Sequence, residues 1–502
     1  MLVVRHKISL AFLLLLLSTM TSAAQDFSVR QGCRRGTPRP QSVHLRRGGS
    51  ESRKLGGDFY RGERHQLTVL VAFNDRLFKD DEAATMEQWN KIFNVENLTE
   101  APFRGSVHDY FLAQSYGDFN VSFDLQYVQV GGDAEKYAST DEEDENSQYL
   151  VEDIMEVLKE RDIDWSLYDW NGDGYINQLL IIYAGHGMND YGGPNLIWPH
   201  QWWMSEHLKD SELDVYCEPI HVSFGDKDYL VDCYCALAEL TGNNNYGSSF
   251  GTLCHEYTHC FGFPDFYYGR ATFVGAWDLM DSGNYNGGGY CPPGYSAHER
   301  WMMGWLKPIE LTEPATITDM PSLSEEGRAY LIRNDDYPNE YYIVENRQPS
   351  TFDAELPGAG VVIFHIDFDE SLWVSVYDFP NTFNVKHYTI FPANNESSVS
   401  FSGWAYPYQD NNSLTDTSQP AAQLWHARSD SIFLMSKPLT NIAVDSVGLA
   451  SFDFMKSPDA IQAIVSVSDA MQPWFDLQGR QLPGRPQRKG LYIVGGRKVV
   501  VR

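Results

Sequence analysis

The sequence predicts a mixed α/β domain followed by an all-β, sandwich-like domain, on three observations. Apolar runs of strand length alternate with amphipathic helical stretches up to about Lys307. Beyond Pro308 the helical patterns disappear, and short apolar runs recur between turn signals. The 502 residues are 43% hydrophobic and 14% aromatic, enough to bury several cores and to exclude a disordered or collagen-like chain.

In chain order, Arg5, His6 and Lys7 precede an apolar run from Ile8 to Leu17 and the small residues Ser22-Ala23-Ala24, the pattern of a secretory signal over 1–24. The run is about half the ~20 residues that a membrane-spanning helix needs, and no later segment is long enough. Residues 25–65 are rich in Arg, Gly and Pro and lack apolar periodicity, which predicts a basic, extended pro-segment. Leu67 to Phe73 predicts a buried strand, Val107 to Ser115 a helix and Phe119 to Val128 another strand, opening an α/β domain at 66–307. Asp141 to Glu145 reads as a solvated acidic loop. Tyr341 to Glu345 and Gly360 to Ile366 are strands of the β-sandwich domain, 308–456, and 457–502 forms a C-terminal β tail.

Charge is distributed unevenly. The net charge of −30 conceals +6 in residues 25–65 and +7 in 477–502, which leaves residues 66–476 at −45. Such a body repels nucleic acid, and the basic arm is drawn to it. Export makes disulfides chemically accessible to the seven cysteines. Cys254 and Cys260, on one helix, stand about 9 Å apart and are too distant to bond to each other.

The informative segment is His255-Glu256-Tyr257-Thr258-His259-Cys260-Phe261-Gly262-Phe263-Pro264-Asp265. Four residues apart on a helix, His255 and His259 project from one face and can share one zinc ion. Glu256 beside them can take a proton from a water and deliver one to a leaving amine. Gly262 allows a left-handed helix end and Pro264 stops the helix from resuming, so that Asp265 returns as a third ligand and the fourth position stays open, as a catalytic zinc requires. Fixing Gly262 and Asp265 as well as the HExxH core lowers the odds of coincidence to about one in several thousand. Downstream, Trp277-Asp278-Leu279-Met280-Asp281-Ser282-Gly283 places Met280 in a turn that can pack beneath the ligands.

These motifs resemble the immune inhibitor A family of secreted zinc metalloproteases, which belongs with the metzincins. The resemblance includes Gly105-Ser106-Val107 through Tyr116-Gly117, Ile182-Tyr183-Ala184-Gly185-His186-Gly187, Gly304-Trp305-Leu306, Glu345-Asn346-Arg347-Gln348 and Leu356-Pro357-Gly358, so that it spans about residues 65–370. It implies a metzincin-like catalytic fold and endopeptidase activity on protein or peptide substrates. His255, His259 and Asp265 would bind zinc and Glu256 would act as general base. Most metzincins carry a third histidine where this family has aspartate, so Asp265 agrees with it. The tyrosine that some metzincins place two residues after the methionine is Ser282 here, which leaves Tyr285 or Tyr290 as candidates to stabilise an oxyanion.

Three further features carry two readings each. Asp169, Asn171 and Asp173, with Gly172 and Gly174, match the first half of an EF-hand loop, but Leu180 stands where the bidentate glutamate belongs. This predicts either a calcium-stabilised turn or a metal-free Asx turn. Cys33 is either a thiolate latch on the zinc that holds a zymogen latent or an unpaired cysteine. The tail, Phe475 to Arg480 with Gly490 to Ile493 and Val499 to Val501, resembles the sorting tail of some type nine secretion cargoes, which implies a secretion-machinery partner. Otherwise it is a terminal hairpin. Against the protease stands a surface-associated binding protein with a vestigial metal site, which would have no need to keep Glu256 and all three ligands.

Overall fold

A computed structural model describes residues 55–138, 146–191, 196–210, 215–240, 250–375, 378–396, 401–456, 474–482, 486–494 and 497–501. The signal, most of the pro-segment with Cys33, and the acidic stretch 141–145 lie outside the described residues.

The first sheet runs β2-β1-β3-β5-β4, with strands β1 (Gly62–Ala72), β2 (Phe119–Gln129), β3 (Leu179–His186), β4 (His200–Trp203) and β5 (Cys233–Leu240). All are parallel except β4, which runs antiparallel on the edge beside β5. Parallel strands are covered on both faces, and accordingly the central ones read as unbroken apolar runs: Leu179 to Ala184 and Leu67 to Ala72 are buried with Thr68 as the sole polar member. Helices α1 (Glu82–Asn94), α2 (Val107–Gln114), α3 (Ser147–Lys159) and α4 (Phe250–His259) accompany this sheet. Helix α2 starts on a reciprocal cap between Ser106 and Asp109, and it coincides with the helix expected at Val107 to Ser115.

Residues 55–65 differ from the extended arm expected of them. Tyr60 is fully buried, its hydroxyl donates to the Cys260 carbonyl at 3.1 Å, and Gly56 N–H donates to the Phe261 carbonyl at 3.0 Å. Strand β1 begins at Gly62, paired with Phe119. One aromatic ring with partners 200 residues away outweighs the local composition, which is why composition alone misplaces this stretch.

Beyond α5 (Ala297–Met302) come β6 (Ile309–Glu310), β7 (Ala315–Met320), β8 (Tyr330–Arg333), β9 (Glu340–Arg347), β10 (Gly360–Asp367), β11 (Tyr388–Ile390), β12 (Leu439–Val444) and β13 (Ala450–Phe454). They form a five-stranded sheet, β6-β8-β9-β10-β11, and a three-stranded sheet, β7-β13-β12. Side chains alternate across the larger sheet. Tyr330, Ile332, Tyr342, Val344, Val361 and Ile363 pack with Phe452 and Phe454 of the smaller sheet. Leu331, Tyr341, Ile343, Val362, Phe364 and Ile366 face the other way and join the core that holds β1, β3 and α4. The β-rich part is therefore two packed sheets, one of which is also a wall of the α/β core.

In the tail, Trp474–Phe475, Gln481–Leu482, Gly490–Val494 and Arg497–Val501 make an antiparallel sheet around Trp474, Val494 and Val501, the small β unit expected there. Among the described residues, no helix is long and apolar enough to cross a membrane. Cys217, Cys233, Cys254, Cys260 and Cys291 are buried thiols, and Cys235 is buried as well.

Burial also sets an acid limit on the fold. His207, buried with its Nε2 2.7 Å from the Tyr234 hydroxyl, is pushed down to about 3 by burial and by the charge of His200. Below pH 6.5 the unfolded chain gains a proton that the folded chain refuses, so stability falls as pH drops from 6.5 towards 3. Between pH 6.5 and 5 this one residue is expected to remove about 2 kcal/mol. Urea unfolding at both pH values should show a loss that much smaller in His207→Gln.

Candidate metal centre and active site

Helix α4 delivers the two histidines to one place because the sheet fixes its far side. Tyr257 Oη donates to Gln66 Oε1 of β1 at 2.8 Å, and Gln178 Nε2 reaches the same Gln66 oxygen at 2.7 Å. These polar groups are all buried, and each bond anchors the helix rotation. On the other flank the helix lies against the 283–289 loop so closely that a Cβ on Gly251 would fall 1.9 Å from the Asn284 carbonyl oxygen.

The helix ends as expected. Cys260, Phe261 and Gly262 N–H donate to the carbonyls of Tyr257, Thr258 and His259, tightening the last turn, and Gly262 takes φ +95°. The chain then turns back and brings the buried Asp265 to the histidines. Its Oδ1 lies 3.1 Å from His255 Nε2 and 3.2 Å from His259 Nε2. His255, Glu256 and His259 also form a buried cluster whose ligand atoms lie within 4.8 Å of one another. Two carboxylates therefore border the two imidazoles. Asp265 is the one whose oxygen touches both rings.

The other imidazole nitrogens are occupied. His255 Nδ1 is 2.8 Å from the Leu279 carbonyl and His259 Nδ1 is 2.7 Å from the Phe263 carbonyl. A carbonyl only accepts, so both Nδ1 atoms carry a proton and each Nε2 is left to meet a carboxylate oxygen, either as a protonated donor or through a shared cation. Without one or the other, a lone pair would face a carboxylate oxygen at that distance and be repelled by it. Burial alone would lower His255, but the Asp265 hydrogen bond, the charges of Glu256 and Asp265 and the Leu279 carbonyl outweigh it and raise it to about 9. Burial alone would raise Asp265, yet His259 and His255 hold it well below the usual carboxylate range. Asp265 Oδ2 is buried with no hydrogen-bond partner. The pocket thus demands a positive charge and presents nitrogen and oxygen donors to it, which fits zinc.

The Met280 turn adjoins this pocket through the Leu279 carbonyl and Phe266. Met280 is fully buried, its carbonyl accepts from Phe266 N–H at 2.8 Å, and its own N–H donates to Asp278 Oδ1 at 2.8 Å. Asp281 Oδ2 accepts from Phe273, Val274 and Gly275 N–H at 2.8 to 2.9 Å. Burial raises both carboxyls above their ordinary range. Asp278, Asp281, Gly251 and the Leu279 carbonyl are missed by the sequence reading. Acidic residues inside an otherwise apolar turn are the signal that points to the first two. Tyr267, half-buried with its ring centroid 6.4 Å from that of His255, is missed as well.

The structure places Tyr285 and Tyr290 on the loop that flanks α4, both half-buried, with Tyr290 edge-on to Phe103 at 5.4 Å. Asp169, Asn171 and Asp173 form a tight turn. Asp169 accepts from Asp173 and Gly174 N–H at 3.1 Å, Asp173 accepts from Tyr175 N–H at 2.8 Å, and Asn177 Oδ1 accepts from Trp170 N–H at 2.6 Å. These are Asx-turn bonds, which either of the two readings would show, so they add no support for calcium.

A family model described as immune inhibitor A peptidase M6, catalytic domain, matches residues 64–307. Residues 64–307, just under half of the chain, are similar to that family's catalytic domain. Immune inhibitor A of Bacillus thuringiensis subsp. alesti is 25% identical over 284 residues, and the chain spans 38% of that relative's length, using 47% of its own. The match covers the α/β part that holds the His255–Asp265 pocket and supports a metallopeptidase-type domain there.

Proposed function

We propose that the chain is a secreted zinc-dependent endopeptidase that hydrolyses peptide bonds in extracellular proteins. The observation that carries this is the convergence of His255 and His259 Nε2 on one Asp265 oxygen at 3.1 and 3.2 Å, with Glu256 buried alongside. His255, His259 and Asp265 would hold the zinc. When bound, zinc supplies a Lewis acid that polarises a carbonyl and lowers the pKa of water towards ~7. The Leu279 and Phe263 carbonyls fix the tautomer and tilt of the two imidazoles. Glu256 takes a proton from the attacking water onto its carboxylate and returns it to the amine nitrogen of the departing strand. Tyr285 or Tyr290 is assigned to the oxyanion on the family resemblance.

The remaining assignments rest on the sequence. The first 24 residues act as the export signal, the basic arm as a pro-segment with Cys33 as its candidate latch, and the tail as a sorting signal read by secretion machinery. Calcium would be held by oxygens of Asp169, Asn171 and Asp173, with the Asx-turn bonds framing the loop.

The test uses the full chain. Elemental analysis is expected to give about one zinc per chain. Cleavage of an unstructured protein substrate is expected to stop with chelator and resume when zinc is restored. Zinc without proteolysis would favour the binding-protein reading, and absence of zinc would sink the metal centre altogether.

A further inference from the structure

We infer that the β-rich part completes the metal centre, with Tyr388 and Asn381 as positioning residues for it. The family match ends at residue 307, yet both pieces of chain that meet at the histidines are held from beyond that point.

The first piece is Asp265-Phe266. Phe266 is fully buried, and its carbonyl accepts from Asn381 Nδ2 at 2.9 Å. Its ring is stacked on Tyr388 with centroids 3.9 Å apart and planes 21° from parallel. Asn381 is itself fixed: Nδ2 also donates to the Tyr388 carbonyl at 2.8 Å, and Oδ1 accepts from His387 and Tyr388 N–H at 2.9 and 3.0 Å. A buried amide with all these bonds made has one orientation.

The second piece is the Met280 turn. Tyr388 Oη donates to Asp278 Oδ2 at 3.0 Å, while Asp278 Oδ1 accepts Met280 N–H. Between Asp278 and Met280 stands Leu279, whose carbonyl orients His255. Phe266 N–H to the Met280 carbonyl joins the two pieces. Tyr388 therefore touches, by its ring, the residue after Asp265 and, by its hydroxyl, the residue before Leu279. One side chain from β11 sets the spacing of a carboxylate donor against an imidazole donor. Groups that orient metal ligands in this indirect way typically change metal affinity or activity 10- to 100-fold when removed.

This inference rests on reading His255, His259 and Asp265 as a zinc site, and the experiment separates the two. In the full chain, Tyr388→Phe keeps the stacked ring and deletes only the hydroxyl. It is expected to release zinc to a competing chelator at about tenfold lower concentration, and to lower kcat about tenfold with KM near the wild-type value. Tyr342→Phe is the control: it deletes the hydroxyl of another buried tyrosine, bonded to the Gln423 carbonyl on the sandwich side, and is expected to leave zinc release and kcat unchanged. Asn381→Ser removes the hold on Phe266 without touching the Tyr388 hydroxyl and is expected to shift zinc release in the same direction as Tyr388→Phe. Wild-type zinc release in either variant, with its near-UV circular dichroism unchanged, would overturn the positioning role. If wild type were to hold zinc and cleave no substrate, the peptidase reading would fail instead.

Discussion

Glu256→Gln is expected to lower kcat by about 10²- to 10⁴-fold while zinc content stays at the wild-type level. Glutamine has the same shape and still accepts and donates hydrogen bonds, so the pocket keeps its packing. It cannot bind a proton near neutral pH, and proton transfer is the task assigned to this position. The two histidines and Asp265 are untouched by the change, since Asp265 already meets both Nε2 atoms. Elemental analysis beside steady-state kinetics on an unstructured substrate separates the alternatives. Loss of rate with zinc retained is the signature of a missing base. Loss of zinc would instead make Glu256 a ligand, as its place in the cluster with His255 and His259 also permits. Unaltered rate with zinc retained would remove Glu256 from the chemistry.

Much of this pocket is legible in the sequence because its chemistry is local. Helical periodicity puts His255 over His259, Gly262 ends the helix, Pro264 bars its return, and Asp265 follows within three residues of the turn. The spacing is thereby a statement about geometry, and the structure brings these residues together. Met280 is legible for the same reason, a short turn soon after the motif. The support is not legible. Asn381 and Tyr388 act on residues 115 and 110 positions away, and Tyr60 on one 200 away. No periodicity or spacing encodes such pairings. Strand β9 shows the same divide. Its apolar run announces a strand, but the burial of Glu340, Glu345, Asn346 and Arg347 depends on partners from other parts of the chain, which the run does not encode.

Arg347 gives the second large effect. Its guanidinium is 1% exposed and spends its donors on three groups: Nη1 on Glu345 Oε1 at 3.0 Å, Nε and Nη2 on the Asp353 carboxylate at 2.9 and 2.7 Å, and Nη2 on the Gly294 carbonyl at 2.9 Å. The fork matches a carboxylate on one side and ties the segment before α5 to β9 on the other. Arg347→Met keeps the bulk and leaves two buried carboxylates facing each other with no cation. Breaking a buried pair in this way costs about 3–5 kcal/mol, because the stranded charge has no water to return to. The sign of the pH dependence follows. Burial already raises Glu345 above its ordinary value, and Arg347 opposes that rise. Without the arginine the carboxyl moves higher still, so the folded variant takes up a proton that the unfolded chain does not. The destabilisation is then largest above neutral pH and shrinks as pH falls towards the ordinary carboxylate range. Urea unfolding of Arg347→Met and wild type at pH 7.5 and 5.5 checks this, with the gap between them expected to be the smaller at pH 5.5. A gap below about 1 kcal/mol at both values would mean that the two carboxylates find water or another donor, and that the join between the α/β core and the β-rich sheets does not depend on this ion cluster.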